Sequence, residues 1–107
     1  MKERELTKQI RDLLKACGIF HWKAWQGLGS TKGVADIVGC LSGKMFAIEV
    51  KTATGRLSEY QRSFLRQLER AGGIACVARS PEDVVEALGL RVKLYPLFEE
   101  KRKGVIS

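Results

Sequence analysis

The chain has 107 residues, a length that suits one compact domain and leaves little room for a second. Apolar residues make up 45% and charged residues 29%, a balance that supports a packed core and argues against wholesale disorder. The net charge of +7 favours polyanionic partners, although many basic proteins bind none. No apolar run approaches the roughly 18 residues that cross a bilayer, and the charged N-terminus lacks a secretory signal, so we expect a cytoplasmic protein.

The cysteines and the histidine do not form a recognisable motif. Cys17, Cys40 and Cys76 are scattered through apolar segments, and no CxxC pattern is present. His21 is the only histidine, and we expect it at the surface or at an interface. This distribution predicts a reduced chain with neither a disulfide framework nor a zinc site.

The first half of the chain is predicted to contain one helix and three strands. Apolar residues recur at helical spacing from Leu6 to Cys17, and Gly18 is typical of the position just beyond a helix. Three segments rich in β-branched, aromatic and other apolar residues follow. A glycine-rich loop at 26–33 and a tight turn at Ser42-Gly43 separate them. The predicted strands are 19–25, 34–41 and 44–51.

The second half is predicted to contain two helices around a short strand at 74–78. Ser58 is a good N-cap for a helix closed by Gly72-Gly73, with an apolar stripe at Tyr60, Phe64, Leu65 and Leu68. Ser80 and Pro81 open a last helix that runs through Leu88. The order α-β-β-β-α-β-α predicts an α/β domain over 1–88, with a mixed central sheet flanked by helices. A C-terminal extension of undetermined structure, 89–107, follows.

The third predicted strand carries two charges in an apolar setting. Glu49 and Lys51 are two residues apart and therefore project from the same face. Charges there are unfavourable unless they are paired, hydrated in a cleft or bound to a metal. If the second and third strands form a hairpin, the Asp36 carboxylate comes beside that of Glu49. Two converging carboxylates favour a hard divalent cation such as Mg²⁺ or Mn²⁺, and the Val50 carbonyl could add an oxygen ligand.

A purely structural role for the charged residues stays open on the residues alone. A Glu-x-Lys pair on a strand is common as an ion-pair feature at a sheet edge. The nearby Asp36 and the apolar neighbours of Glu49 bring the structural and the metal-binding interpretations close to balance. Periodicity by itself would also make Gln61 an exposed helix residue.

Several short motifs occur in a specific order along the chain. They are Glu3-Arg4-Glu5-Leu6, Gly33-Val34-Ala35-Asp36, Glu49-Val50-Lys51, the segment 55–61 and the segment 78–83. Together they resemble the virus-type replication-repair nuclease (VRR-NUC) domain of the PD-(D/E)xK superfamily, over about residues 3–88. The resemblance implies a restriction-endonuclease-like core and a nuclease that depends on Mg²⁺ or Mn²⁺. One departure is plain, since the family usually has proline where this chain has Ala35.

The resemblance also implies roles for individual residues. Asp36 and Glu49 would hold the metal with the Val50 carbonyl, Lys51 would serve the attacking water, and Gln61 would face the same site. The family carries a further glutamate on its first helix. We expect this to be Glu3, which is in phase with the core-facing residues, rather than Glu5; a role of Glu3 at the helix dipole stays open.

Outside these motifs, Lys32 and Ser30 in the glycine-rich loop are candidates for contacts with nucleic-acid phosphates, although solvated loop residues are equally common. Trp22 and Trp25 are expected in the core or at an interface rather than stacked on bases. The basic run 101–103 is expected to be solvated, with contact to DNA phosphates as the alternative.

The resemblance implies a metal-dependent DNA endonuclease, structure-selective on branched DNA such as Holliday junctions. Free-standing relatives act as homodimers, because a junction is cut symmetrically on two strands. We therefore expect a homodimer in the cytoplasm of a bacterial or phage-infected cell. Two alternatives remain: a catalytically inactive DNA-binding module on the same fold, and a small enzyme whose basic surface serves only solubility.

Overall fold

The computed structural model describes residues 1–25 and 32–92, which form seven helices and strands. In chain order they are α1 (Glu3–Ala16), β1 (His21–Lys23), β2 (Ile37–Leu41), β3 (Lys44–Val50), α2 (Glu59–Arg70), β4 (Ile74–Ala78) and α3 (Pro81–Leu88). The predicted α/β class and element order are confirmed. In this part of the chain, none of the helices is both long and apolar enough to cross a membrane.

Some predictions fall outside the described residues. These are the proposed phosphate contact of Ser30, most of the glycine-rich loop, and the basic run 101–103 of the extension. The described part of the extension reaches Val92, and both Leu90 and Val92 pack against the main hydrophobic core.

The four strands form one mixed sheet in the order β1-β2-β3-β4. β2 pairs antiparallel with both β1 and β3, whereas β3 and β4 are parallel. The β2–β3 hairpin turns at Ser42 and Gly43, whose φ angles of 52° and 82° suit a two-residue hairpin turn. Parallel strands need a long crossover connection, and α2 provides it between β3 and β4.

Helices cover the two faces of the sheet unequally. α1 and α3 pack on one face around Ile10, Phe46 and Ile48, each fully buried. α2 packs on the other face, where Leu65 contacts the core near Ala47. Because side chains alternate along a strand, the residues of β3 next to Ile48 point towards the α2 face. The Glu49 side chain therefore lies on the side of the sheet that carries α2.

Two predicted strands are shorter than the sequence pattern indicated. The segment 19–25 is a strand only at His21–Lys23, and the segment 34–41 pairs only from Ile37 onwards. Ile19 and Ala35 are buried at 8% and 1% exposure, but their burial comes from packing rather than from strand pairing. An apolar segment can therefore extend beyond the paired residues of its strand.

Three aromatic residues lie at the surface, although Tyr60 was predicted in an apolar stripe and the two tryptophans in the core or at an interface. Tyr60 is 57% exposed, so the apolar stripe of α2 begins later than predicted. Trp22 and Trp25 are 49% and 78% exposed, and neither belongs to a core cluster. The core alternative is therefore wrong for both tryptophans, whereas the interface alternative stays a prediction. For Trp22 the reason is that α2 packs mainly on β3 and β4 and leaves the edge strand β1 largely uncovered on that face.

Candidate active site

The carboxylates of Asp36 and Glu49 approach each other at the open end of the β2–β3 hairpin. Ile37 pairs with Ile48, so the residue before β2 lies across from Glu49. Asp36 precedes the strand instead of lying in it, and its Oδ2 accepts a hydrogen bond from the Val50 amide at 2.8 Å. This bond holds the Asp36 side chain against β3. A two-residue turn thus brings together acidic residues that are 13 positions apart.

Glu49 is the largely buried member of the pair, with 2% exposure. Its Oε2 accepts a hydrogen bond from Gln61 Nε2 at 3.0 Å and lies 3.9 Å from Lys51 Nζ. Its Oε1 is buried and has no hydrogen-bond partner among the described residues. An unsatisfied buried carboxylate oxygen is unfavourable, and it is the atom best suited to receive a cation.

The protonation of Glu49 reflects this environment. Burial, and next the negative charge of Asp36, raise the pKa of Glu49 from 4.5 to about 8. The Lys51 ammonium opposes these effects, and the charge of Glu3 adds to them. Burial disfavours the charged carboxylate, and a second negative charge disfavours it further. A positive charge added beside Glu49 would favour its ionised form.

Gln61 is oriented by the start of its own helix. Its backbone amide donates to Ser58 Oγ at 3.1 Å, while its Oε1 accepts from the Ser58 amide at 2.8 Å. This reciprocal arrangement is a capping box. Because the Gln61 Oε1 already accepts the Ser58 backbone N–H, the Gln61 Nε2 is the group that points to Glu49. The cap that begins α2 therefore also orients the Gln61 Nε2 towards Glu49.

Lys51 and the Val50 carbonyl complete the polar groups near the pair. The Lys51 amide donates to the Ala78 carbonyl at 3.0 Å, which continues the pairing with β4 beyond the last strand residue. Its side chain is 14% exposed and lies on the same side as Glu49. The Val50 amide faces Asp36, and a strand residue directs its N–H and C=O to the same side. The Val50 carbonyl therefore also faces the Asp36 side.

Glu3 lies at the start of α1, further from the pair. It lines a cavity of about 690 Å³ together with Asp36, and its charge contributes to the raised pKa of Glu49. Within residues 1–25 and 32–92, however, no three His, Cys, Asp or Glu side chains are close enough together to hold a metal ion. The structure thus brings Asp36 and Glu49 together and leaves Glu3 at the margin.

Lys32 lies beside the helix that carries Gln61. Its ammonium is 4.9 Å from the centre of the Tyr60 ring, a distance that permits a cation–π contact. This contact places an exposed positive charge near the N-terminal end of α2.

Arg79 was not assigned a role from the sequence. Its Nη1 donates to the carbonyls of Thr52 and Gly55, at 2.6 and 2.8 Å. These bonds hold the connection that links Lys51 to α2, so Arg79 helps to set the position of Gln61 relative to Glu49. The contact joins residues at least 24 positions apart, and no local spacing could have revealed it.

The sequence indicates Gly33 only as a loop residue and as the first residue of the motif that ends at Asp36. It is buried with a φ of +80°, and a β-carbon there would overlap the Tyr60 carbonyl and lie 2.8 Å from the Gln61 amide nitrogen. The chain before Asp36 therefore contacts the start of α2 directly, which is possible only for glycine.

Replacing Gly33 by alanine should consequently separate α2 from the segment leading to Asp36. We expect a loss of about 1–3 kcal/mol in the free energy of unfolding, because the backbone is strained and α2 must shift. The activity of the site should fall by a larger factor than the loss of stability predicts. Gly72→Ala is the matched control, since Gly72 also has a positive φ, of 96°, but meets no atom within 4 Å. Equal activity of the two variants, after correction for folded fraction, would contradict the role of Gly33.

Two carboxylates, a lysine and a glutamine thus lie together at one end of a mixed sheet, and a family comparison covers the part of the chain that carries them. The VRR-NUC domain matches residues 1–82, which include all of these side chains. The chain belongs to the VRR-NUC family. No curated protein and no solved structure matches it.

Membership in the VRR-NUC family implies a nuclease function with DNA as the substrate. The fold and the Asp36 and Glu-x-Lys motifs are consistent with the PD-(D/E)xK superfamily, as the sequence resemblance indicated. Ala35 replaces the usual proline of this VRR-NUC motif. It is 1% exposed and packs in the cluster beneath α2, so a small apolar residue fits the position.

Proposed function

We propose that this VRR-NUC protein is a divalent-metal-dependent endonuclease that hydrolyses phosphodiester bonds in DNA. Asp36, Glu49 and the Val50 carbonyl would hold Mg²⁺ or Mn²⁺. The observation that carries the proposal is the buried, unpartnered Oε1 of Glu49 beside a second carboxylate. A hard cation satisfies such an oxygen and relieves the repulsion between the two acids. When bound, it would activate water and neutralise charge on the phosphate.

The protein side chains have distinct parts in this proposal. Gln61 Nε2 holds Oε2 of Glu49 and leaves Oε1 for the cation, while the Val50 amide holds Oδ2 of Asp36. The Lys51 ammonium, on the same face, is placed to orient the attacking water or to donate to a phosphate oxygen. Asp36 is positioned by a backbone amide and Gln61 by its helix cap, which limits the reorganisation needed on substrate binding.

The test is a cleavage experiment on purified protein with four-way, flap and linear DNA in Mg²⁺, Mn²⁺ or EDTA. We expect cleavage in at least one divalent ion and none in EDTA. Lys51→Gln should reduce it strongly, whereas Lys44→Gln, which removes an exposed charge at the far hairpin turn, should not. DNA binding without cleavage in any ion would favour the inactive-module alternative. Absence of both would point away from nucleic acid altogether.

The substrate proposal is more specific: branched DNA such as a four-way junction, cut by a homodimer. It is supported by the family resemblance and by an uncovered apolar region along the edge strand β1. There the rings of Phe20 and Trp22 lie 5.6 Å apart, with 69% and 49% exposure. A second copy would cover such a region. A strictly monomeric mass in solution, or equal cutting of linear duplex, would overturn this part.

Glu3 is proposed as an outer ligand or metal-orienting group, and Glu5 provides an internal control on the same helix. Glu3→Gln should raise the Mg²⁺ concentration required for half-maximal cleavage by several-fold, since one negative charge near the pair is lost. Glu5→Gln removes the same charge from the same helix turn but, unlike Glu3, does not line the cavity with Asp36. Equal Mg²⁺ requirements for the two variants would exclude a specific role of Glu3.

A further inference from the structure

A basic groove runs from the candidate active site along α1. The cavity that contains Asp36 lies between α1 and the edge strand β1, and its walls carry five cationic side chains. Four of them are on α1 and the fifth is on β1: Arg4, Lys8, Arg11, Lys15 and Lys23. We call this feature the α1 groove.

The helical cations form a narrow row. Arg4, Lys8, Arg11 and Lys15 are spaced by four, three and four residues, which confines them to about 60° of the helix circumference. The row begins beside Glu3, next to the site, and extends about 17 Å from Arg4 to Lys15. That distance equals the axial rise of about five nucleotides in one DNA strand. The spacing was visible in the sequence, but only the structure shows that the row faces Asp36.

The groove keeps an excess of positive charge. Among the described residues, Lys8 is the only one of the four helical cations that forms an ion pair, 2.9 Å from Asp12. The Nε of Arg11 is buried and has no hydrogen-bond partner in the same part of the chain. A buried guanidinium nitrogen without an acceptor is unfavourable, and a phosphate oxygen would satisfy it.

We propose that the α1 groove binds the phosphates of the DNA strand on one side of the scissile bond, over about five nucleotides. The proposal rests on the proposed nuclease function and specifies how its substrate is held. Cations repeated along a helix at this spacing contact successive phosphates without reading the bases. The groove therefore contributes affinity and alignment rather than sequence preference.

The test compares two charge-matched double variants. The groove variant, Lys15→Gln with Lys23→Gln, removes two exposed cations from the α1 groove. The control variant, Lys44→Gln with Arg70→Gln, also removes two exposed cations. One of these lies at the opposite end of the sheet and the other at the end of α2. Binding to a four-way junction and to a duplex is measured in EDTA between 50 and 200 mM salt, so that the metal site does not contribute. The groove variant should bind about 10- to 100-fold more weakly at 0.1 M salt, and its log–log salt slope should be smaller by about 2. The control variant should resemble wild type.

Neutral methylphosphonate linkages locate the contact. Placed within about five nucleotides on one side of the cut, they should weaken binding of wild type by a larger factor than binding of the groove variant, which keeps three of the five cations. Equal affinity and salt slope of the two double variants would overturn the inference, even if wild-type protein cleaves DNA normally. Loss of affinity in the groove variant alone would support it, even if no divalent ion supports cleavage and the nuclease proposal fails.

Discussion

Replacing Asp36 by asparagine should lower the rate of DNA cleavage by at least about 10³-fold while leaving the fold intact. Asparagine keeps an oxygen that can accept the Val50 amide hydrogen bond, which is 2.8 Å long in the native protein. It removes, however, one of the two negative charges that would hold the cation. A metal contributes several kcal/mol of transition-state stabilisation, and each 1.4 kcal/mol corresponds to a factor of ten in rate.

The measurement is single-turnover cleavage at saturating protein, so that weaker DNA binding cannot imitate a loss of chemistry. Mg²⁺ binding followed by calorimetry should weaken in parallel, which gives a readout independent of activity. Glu69→Gln, an exposed carboxylate near the end of α2, is the control for a general change in charge. Cleavage by Asp36→Asn within a few-fold of wild type would end the assignment of Asp36 as a metal ligand.

Replacing Glu49 by glutamine should produce an inactive protein that is more stable than wild type at pH 8 without divalent metal. The pKa of Glu49 is raised from 4.5 to about 8 in the folded protein, chiefly by burial. The folded state therefore binds this proton more tightly than the unfolded state. Binding of this proton stabilises the folded state fully below about pH 4.5, and the stabilisation is lost as the pH rises through about 8.

The loss should amount to at most about 1.4 kcal/mol per pH unit within that interval. Glutamine stays neutral at every pH and therefore lacks this ionisation. Urea unfolding in EDTA at pH 5, 6.5 and 8 should show the fall in wild type and a much flatter curve in the variant. Glu69→Gln, which changes an exposed carboxylate, should follow wild type.

Mg²⁺ provides the complementary test of the same pair. At pH 8 it should raise the unfolding temperature of wild type, because a ligand that binds only the folded state stabilises it. It should have little effect on Glu49→Gln. A parallel pH dependence of stability in wild type and variant would show that Glu49 does not carry a raised pKa.

Part of the candidate active site could be predicted from local features of the sequence. The hairpin turn at Ser42 and Gly43 and the alternation of strand residues were enough to place Asp36 beside Glu49 and to put Lys51 on the same face. Ser58 was likewise recognisable as a helix cap. Each of these features depends on hydrogen bonds and side-chain directions within a few residues of the chain, or across one tight turn.

Other parts of the site depend on contacts that no spacing reveals. Arg79 reaches Thr52 and Gly55, and Gly33 packs against the backbone of Tyr60, because the crossover from β3 to β4 brings these segments together. The exposure of Trp22 has a similar origin, since it depends on which strands α2 covers.

The amino-acid order by itself thus determined the sequence of helices and strands, the family, and the identity of the charged residues at the hairpin. The tertiary structure alone decided that one Glu49 oxygen is occupied by Gln61 while the other is left buried without a partner. It also decided that the cationic row of α1 faces the same cavity as Asp36. The physical reason is that hydrogen-bond patterns and periodicity act over a few residues, whereas burial and convergence depend on how distant elements pack.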